Sequence, residues 1–170
     1  GTPVYIDAPI EQDFKITPEQ LEAAITPKTR AIILCSPSNP TGSVYSKDEL
    51  EGLKNVLLKH ERVIVIADEI YEHTNNVGKH ASMAEFADIK DRVVIINGVS
   101  KAYAMTGWRI GFIAAPEWIV KGCNKLQGQY TSGPCSVSQK AAEAAFAGDQ
   151  QCVEDMRLAF ERRKNLIVKL

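Results

Sequence analysis

The sequence predicts an α/β protein, a three-layer α/β/α arrangement around a mostly parallel, mixed sheet. Three observations carry this. Short β-branched runs, apolar on both faces, alternate with stretches of helical period, the pattern of parallel strands covered on both sides. Two of those stretches open with capping boxes. After the third run the next follows within about a dozen residues and without a helical stripe, too short for the crossover a parallel return needs.

Taken in order, Thr17-Pro18-Glu19-Gln20 places a Thr cap, a proline at the first helical position and Gln at the third, ahead of Leu21 and Ala24. Ala31-Ile32-Ile33-Leu34-Cys35 is the first strand. Ser46-Lys47-Asp48-Glu49 opens a helix whose Leu50, Leu53, Val56 and Leu57 share one stripe. That helix is the crossover to a second strand, Val63-Ile64-Val65-Ile66-Ala67, so the two run parallel. Val93-Val94-Ile95-Ile96 is the third strand, and the run from Ile110 to Ala115 is expected antiparallel to it. Beyond Pro116 the pattern is helical: Glu117 to near Thr131, Ser136 to Ala147 with Gly148 as a stop, then Gln151 onward. In the last, Val153, Met156, Phe160 and Ile167 still form a stripe where the sequence stops at Leu170, which implies a missing partner.

Composition sets the class. The 170 residues are 45% hydrophobic and 24% charged with net charge −1, enough for one domain with a buried core and incompatible with disorder. Twenty basic against 21 acidic residues give no electrostatic case for nucleic acid or an anionic membrane surface. No apolar run reaches the roughly 18 residues of a membrane span, and the start does not read as a signal peptide. Cys35, Cys123, Cys135 and Cys152 form no C-x-x-C pair, and His60, His73 and His80 add no ligand-like spacing. Neither a metal site nor a disulfide framework is expected; buried or half-buried free thiols suit a reducing cytoplasm. The chain opens at Gly1 without a methionine and ends in mid-helix, as a piece of a longer chain would.

The polar residues collect where the parallel strands end. The first runs into Ser36-Pro37-Ser38-Asn39-Pro40-Thr41-Gly42, the second into Asp68-Glu69-Ile70-Tyr71, the third into Asn97-Gly98-Val99-Ser100-Lys101. Open α/β sheets bind ligands outside the carboxyl ends of their strands, so Asn39, Asp68, Tyr71 and Lys101 are expected in one crevice. Each has a plainer reading. Asn39-Pro40 with Gly42 makes a turn, Asp68 caps one, and Tyr71 sits at a core rim. Lys101 is then a solvated charge, and Arg109 stacks on Trp108 or pairs with an acid. Those readings account for each residue singly and not for the set.

Pro37-x-Asn39-Pro40-Thr41-Gly42, Asp68-Glu69-x-Tyr71 and Ser100-Lys101, with Gly107 and Arg109 following, together resemble the fold-type I, pyridoxal-phosphate (PLP) class I/II aminotransferases. The stretch from Asn97 to Gly111 is most similar to the bacterial aspartate/aromatic branch. The resemblance covers nearly the whole chain and implies a part of the large PLP-binding domain, with residues 1–150 in its centre and 151–170 starting the helix to a small domain. It implies an enzyme moving an amino group between an amino acid, aspartate or aromatic, and a 2-oxo acid. Lys101 would form a Schiff base with PLP and carry the proton between Cα and C4′. Asp68 would pair with the pyridine nitrogen, which makes the ring an electron sink. Asn39 and Tyr71 would hydrogen-bond the ring oxygen, and Arg109 with Ser100 would hold the phosphate.

Many relatives carry a serine three positions before the lysine; here it is Gly98, so hydroxyl help there is absent. The phosphate loop, the aromatic stacked on the ring, the carboxylate-binding arginine and the tyrosine contributed across the homodimer of the full-length enzyme are not in this sequence. The 170 residues alone are therefore expected to be inactive. Other readings of the resemblance are a carbon–sulfur lyase, an aminocyclopropane-carboxylate synthase-like enzyme, or a PLP-sensing domain of a transcription regulator with an upstream DNA-binding segment.

Overall fold

The computed structural model describes residues 1–170. Four strands, β1 (Ala31–Cys35), β2 (Ile64–Asp68), β3 (Val93–Gly98) and β4 (Gly111–Ala114), form one sheet in the order β1-β2-β3-β4. β1, β2 and β3 run parallel, with Cys35 beside Asp68 and Asp68 beside Ile96. β4 is antiparallel to β3, Asn97 opposite Phe112 and Gly98 opposite Gly111. The mixed sheet expected from the short 98–110 connection is present. β2 starts one residue later than its apolar run and ends on Asp68, because the ladder continues there: Ser36 N–H donates to the Asp68 carbonyl.

Five helices accompany the sheet: α1 (Pro18–Ala24), α2 (Lys47–Leu57), α3 (Glu117–Tyr130), α4 (Ser136–Ala147) and α5 (Gln151–Ile167). Both capping boxes form. Thr17 Oγ1 accepts from Gln20 N–H at 3.3 Å and Gln20 Oε1 from Thr17 N–H at 2.8 Å. Ser46 and Glu49 repeat the exchange at 3.2 and 2.7 Å. Each cap satisfies two amides that a helix start leaves free, a contribution of about 1 kcal/mol per cap. α1 crosses α2 closely, and a Cβ at Gly52 would lie 2.9 Å from Pro18 Cγ.

The core lies between these two helices and one face of the sheet. Leu50, Leu53 and Leu57 of α2 are each 1% exposed, and they join Leu21 of α1 with Leu34, Val65, Ala67, Val93 and Ile95 of the strands. Met83, Phe86 and Ile89 close the rim. Each fully buried leucine contributes about 2 kcal/mol. Below them the buried Arg92 donates to the carbonyls of Leu57, His60 and Val63, at 2.9, 2.7 and 3.3 Å. A cation suits the negative C-terminal end of α2 and occupies carbonyls that would otherwise be unpaired.

Coverage on both faces, expected from the strand composition, is present at β3, where Val93, Val94 and Ile95 are all buried, and incomplete at the edge strand β1. Ile33, pointing away from the core, is 75% exposed. The reason lies in the later helices: α3 buries no residue, and α4 and α5 together bury only Ser138, Ala142 and Val153. The cysteines need the same correction. All four are free, but only Cys35 is half-buried; Cys123, Cys135 and Cys152 are exposed, because they stand on or beside helices that pack lightly. No helix is long and apolar enough to cross a membrane.

Candidate active site

The carboxyl ends of β1, β2 and β3 lie side by side, so the residues beyond them meet although up to 62 positions separate them in sequence. After β1 the chain closes on itself: Gly42 N–H donates to the Ser38 carbonyl and Ser38 N–H to that of Ser43. Gly42 has φ +75, a conformation open to glycine and strained for other residues. That loop carries Asn39, whose Nδ2 donates to the Tyr71 hydroxyl at 3.0 Å. After β3, a turn with Ala104 N–H on the Lys101 carbonyl presents the lysine. Lys101 Nζ lies 5.3 Å from the centre of the Tyr71 ring. Three of the residues singled out in sequence therefore stand in one chain of contacts, Asn39 to Tyr71 to Lys101.

Asp68 ends β2 at the same edge. Strand alternation turns it away from Ala67 and the core, and one carboxylate oxygen accepts from Ile70 N–H at 3.2 Å. It thus caps a turn and also presents a carboxylate at a sheet edge. Its charge is felt by the Cys35 thiol, which burial in the first place, and Asp68 as well, push up. Ser100 adjoins Lys101 but makes no side-chain hydrogen bond with Asn39 or Tyr71. Arg109 is exposed, its guanidinium resting on the Thr106 carbonyl at 2.9 Å rather than reaching Tyr71 or Lys101. Neither an aromatic stack nor an acid holds it. Ala104 (φ 52) and Arg109 (φ 55) both adopt left-handed backbone, so the segment after Lys101 carries strain of the kind concentrated at functional sites.

Gly98 has a steric cause. A Cβ there would stand 2.8 Å from the Ile110 carbonyl and 2.9 Å from Gly111 Cα. The close pairing of β3 with β4 leaves no room for a serine three residues before the lysine.

Beneath these residues lies a hydrogen-bonded layer that sequence reasoning missed. Asn97 is buried; its Nδ2 donates to Glu72 Oε1 at 2.7 Å and its Oδ1 accepts from Gly98 N–H at 2.8 Å. His73 lies 3.3 Å from Glu72 and, by its hydrogen bond, holds that carboxyl below the ordinary range. The buried Glu69 takes three partners: Ser82 Oγ at 2.8 Å, His80 Nε2 at 3.0 Å and Met83 N–H at 3.3 Å. Asp68 and Glu69, adjacent in sequence, thus serve opposite faces. The available signal was polarity at the strand ends, where a buried carboxylate or amide requires partners.

The donor set is one primary amine, a phenol paired to an amide, a carboxylate and a guanidinium, arranged along the carboxyl edge of a mixed α/β sheet. In open α/β sheets that edge is where ligands bind. The chain belongs to the aminotransferase class I and II family, which it matches over residues 1–170. It is 52% identical over 169 residues to the aspartate aminotransferase of Geobacillus stearothermophilus, covering 98% of this chain and 43% of that protein. With the aspartate/prephenate aminotransferase of Nitrosomonas europaea the identity is 48%, at the same coverage. Among solved structures, the aspartate aminotransferase of Rhizobium meliloti superposes with a TM-score of 0.96 at 42% identity, over 99% of this chain and 43% of that one. An aromatic aminotransferase of Pyrococcus horikoshii gives 0.94 at 39%, over 99% and 46%. The chain spans less than half the length of these relatives.

Proposed function

We propose that this chain forms the catalytic floor of a pyridoxal-phosphate-dependent aminotransferase, which moves an amino group between an amino acid, aspartate or aromatic, and a 2-oxo acid. The observation that carries the reading is the contact chain Asn39–Tyr71–Lys101 at the strand edge where Asp68 also ends. The residue types fit the cofactor: an amine for its aldehyde, a carboxylate for its ring nitrogen, a phenol and an amide for its ring oxygen. Arg109, with Ser100 beside Lys101, supplies cation and hydroxyl for its phosphate. Bound there, the cofactor supplies an electron sink for the carbanion at the substrate Cα.

The protein's own part is positioning and proton transfer. Lys101, on a turn anchored by β3, is the group placed to hold and return the Cα proton, since a primary amine serves as base and then as acid. Asp68 provides fixed negative charge at the strand end. Tyr71, oriented by the Asn39 amide, keeps a hydroxyl at the mouth of the site. Residues 1–150 belong, in this reading, to the cofactor-binding domain, and α5 begins the path to a second one. A homodimer in a reducing cytoplasm completes it; the free cysteines are in keeping with that compartment, and the exposed Trp118, Leu126 and Tyr130 of α3 with a buried mate.

The test is made on the whole enzyme containing this chain. With aspartate or an aromatic amino acid and 2-oxoglutarate, glutamate should form, and Lys101→Ala should abolish it, a loss of at least about a thousandfold for removal of the proton-carrying group. Release of pyruvate and ammonia from cystathionine without a new amino acid would overturn the transaminase reading in favour of elimination.

A further inference from the structure

Resting on that reading of the site, we propose that Glu72 is a positioning residue. Through Asn97 it locks the turn bearing Tyr71 to the end of β3, and so sets where Lys101 stands against the tyrosine ring. Two chain segments far apart in sequence must be held in register for Lys101 Nζ to keep its 5.3 Å distance from that ring. Tyr71 precedes Glu72 directly, and Asn97 lies four residues before Lys101.

The backbone offers little to join them. The β2–β3 ladder runs out with Glu69 N–H on the Ile96 carbonyl, and the turn that follows bonds to itself, Thr74 N–H and Oγ1 both on the Tyr71 carbonyl. Beyond Ile96 the fastening passes to side chains. Asn97 uses both ends of its amide, one on Glu72 and one on Gly98 N–H, the first peptide of the segment that leads to Lys101. A half-buried carboxylate accepting at 2.7 Å forms a charge-assisted bond, stronger than a neutral one. His73 faces Glu72 from its own turn and His80 from the 80–83 segment, while Arg157 and Glu154 of α5 border the groove outside. His80 is engaged by Glu69, and Arg157 by Glu154 and Glu161, so Asn97 is the connection from Glu72 to the sheet.

The experiment uses the full-length enzyme as wild type, Glu72→Gln, Glu72→Ala and Asn97→Ala. In the cofactor-free protein, the rate at which an amine-reactive reagent modifies Lys101 is followed against pH by peptide mass spectrometry. Pyridoxal phosphate affinity is measured by fluorescence, and thermal midpoints are recorded alongside. Glu72→Ala and Asn97→Ala should move the pH midpoint of Lys101 modification and weaken cofactor binding by about tenfold, the worth of one charge-assisted hydrogen bond. Glu72→Gln keeps an acceptor oxygen for Asn97 but not the charge, and should fall between wild type and Glu72→Ala in both. If the alanine variants lower the thermal midpoint while the Lys101 profile and the affinity stay at wild-type values, the residues are merely structural and the proposal is overturned. The lysine profile is read without cofactor. Wild-type enzyme that binds no pyridoxal phosphate would therefore count against the functional reading alone, and the Lys101 profile would still decide the clamp.

Discussion

The segment from Leu21 to Ile95 and the segment from Gly111 to Leu170 are built on different principles. The first contains the entire apolar core cluster, with two capped helices packed on one sheet face and a buried arginine closing the end. The second has three helices and an edge strand, yet only Ser138, Ala142 and Val153 are buried in it. Its helices carry local pairs, Lys121 with Glu117, Lys140 with Glu143, Arg157 with Glu154 and Glu161, and meet the rest through a few contacts such as Phe146 with Tyr103 and Phe112 and Arg157 with Asn76. Exposed pairs of this kind contribute a few tenths of a kcal/mol each, against about 2 for each buried leucine. The candidate site lies on the boundary. Asn39, Asp68 and Tyr71 emerge from the packed segment, and Lys101 and Arg109 stand on the passage to the lightly packed one. A strained loop can persist after Lys101 because the strand before it is anchored in the core.

The sharpest way to break this contrast is a pair of leucine truncations in the 170-residue chain. Leu53→Ala should cost about 2–5 kcal/mol by denaturant unfolding, because a 1% exposed side chain leaves a cavity. Leu126→Ala, at 68% exposure on α3, should change stability by less than about 0.5 kcal/mol. Equal effects would abolish the distinction. Next in size, Gly98→Ala forces β3 and β4 apart and should cost about 1–3 kcal/mol, as overpacking does. Hydrogen exchange should then speed up at the amides of β4 while those of β1 and β2 stay protected. Uniform loss across the sheet would show that β4 shares the cooperativity of the core.

The smallest effect expected is one of pH, at the boundary itself. Glu72 raises His73 above the ordinary imidazole value of 6.5, and His73 in turn holds Glu72 below 4.5. The histidine contribution is complete below 6.5 and fades as pH rises through the higher folded value. The carboxylate contribution is complete above 4.5 and fades as pH falls through the lower folded value. The pair therefore stabilises most between those two values, modestly, since both groups are partly solvated. Thermal midpoints of wild type and His73→Gln across pH 4 to 8 should differ most inside that window; a constant difference would mean that the pair carries no charge-dependent stability.

Local signals in the sequence were sufficient wherever one segment could settle its own structure. Thr17 and Ser46 each cap because the partner lies three residues on. The antiparallel β4 follows from a connection too short for a crossover. Asn39, Asp68, Tyr71 and Lys101 were legible as candidates because polar groups at the ends of apolar strands need a reason, and parallel strands share an edge. That Asn39 meets Tyr71 and Lys101 approaches its ring is a matter of register and loop closure.

Other features depended on what packs where. Ile32 and Ile33 are alike in the sequence, yet one faces the core and the other is largely exposed, because the second face of the sheet is covered at β3, where Val94 is buried, and left bare at the edge strand β1. No local signal marks Arg92, which is buried against three carbonyls. Nothing local in the sequence gives the partners of Glu69, inside the motif, or of Glu72, just beyond it; one is sunk under Ser82 and His80, the other fastened to Asn97. From its sequence alone the chain determined which residues become helix or strand and which chemistry gathers at the strand ends, since capping, periodicity and connection length act over a few residues. Only the tertiary structure decided which carboxylate faces the site, which one underpins it and which surfaces stay bare. Burial and partner choice are set by segments tens of residues away, and no local pattern encodes them.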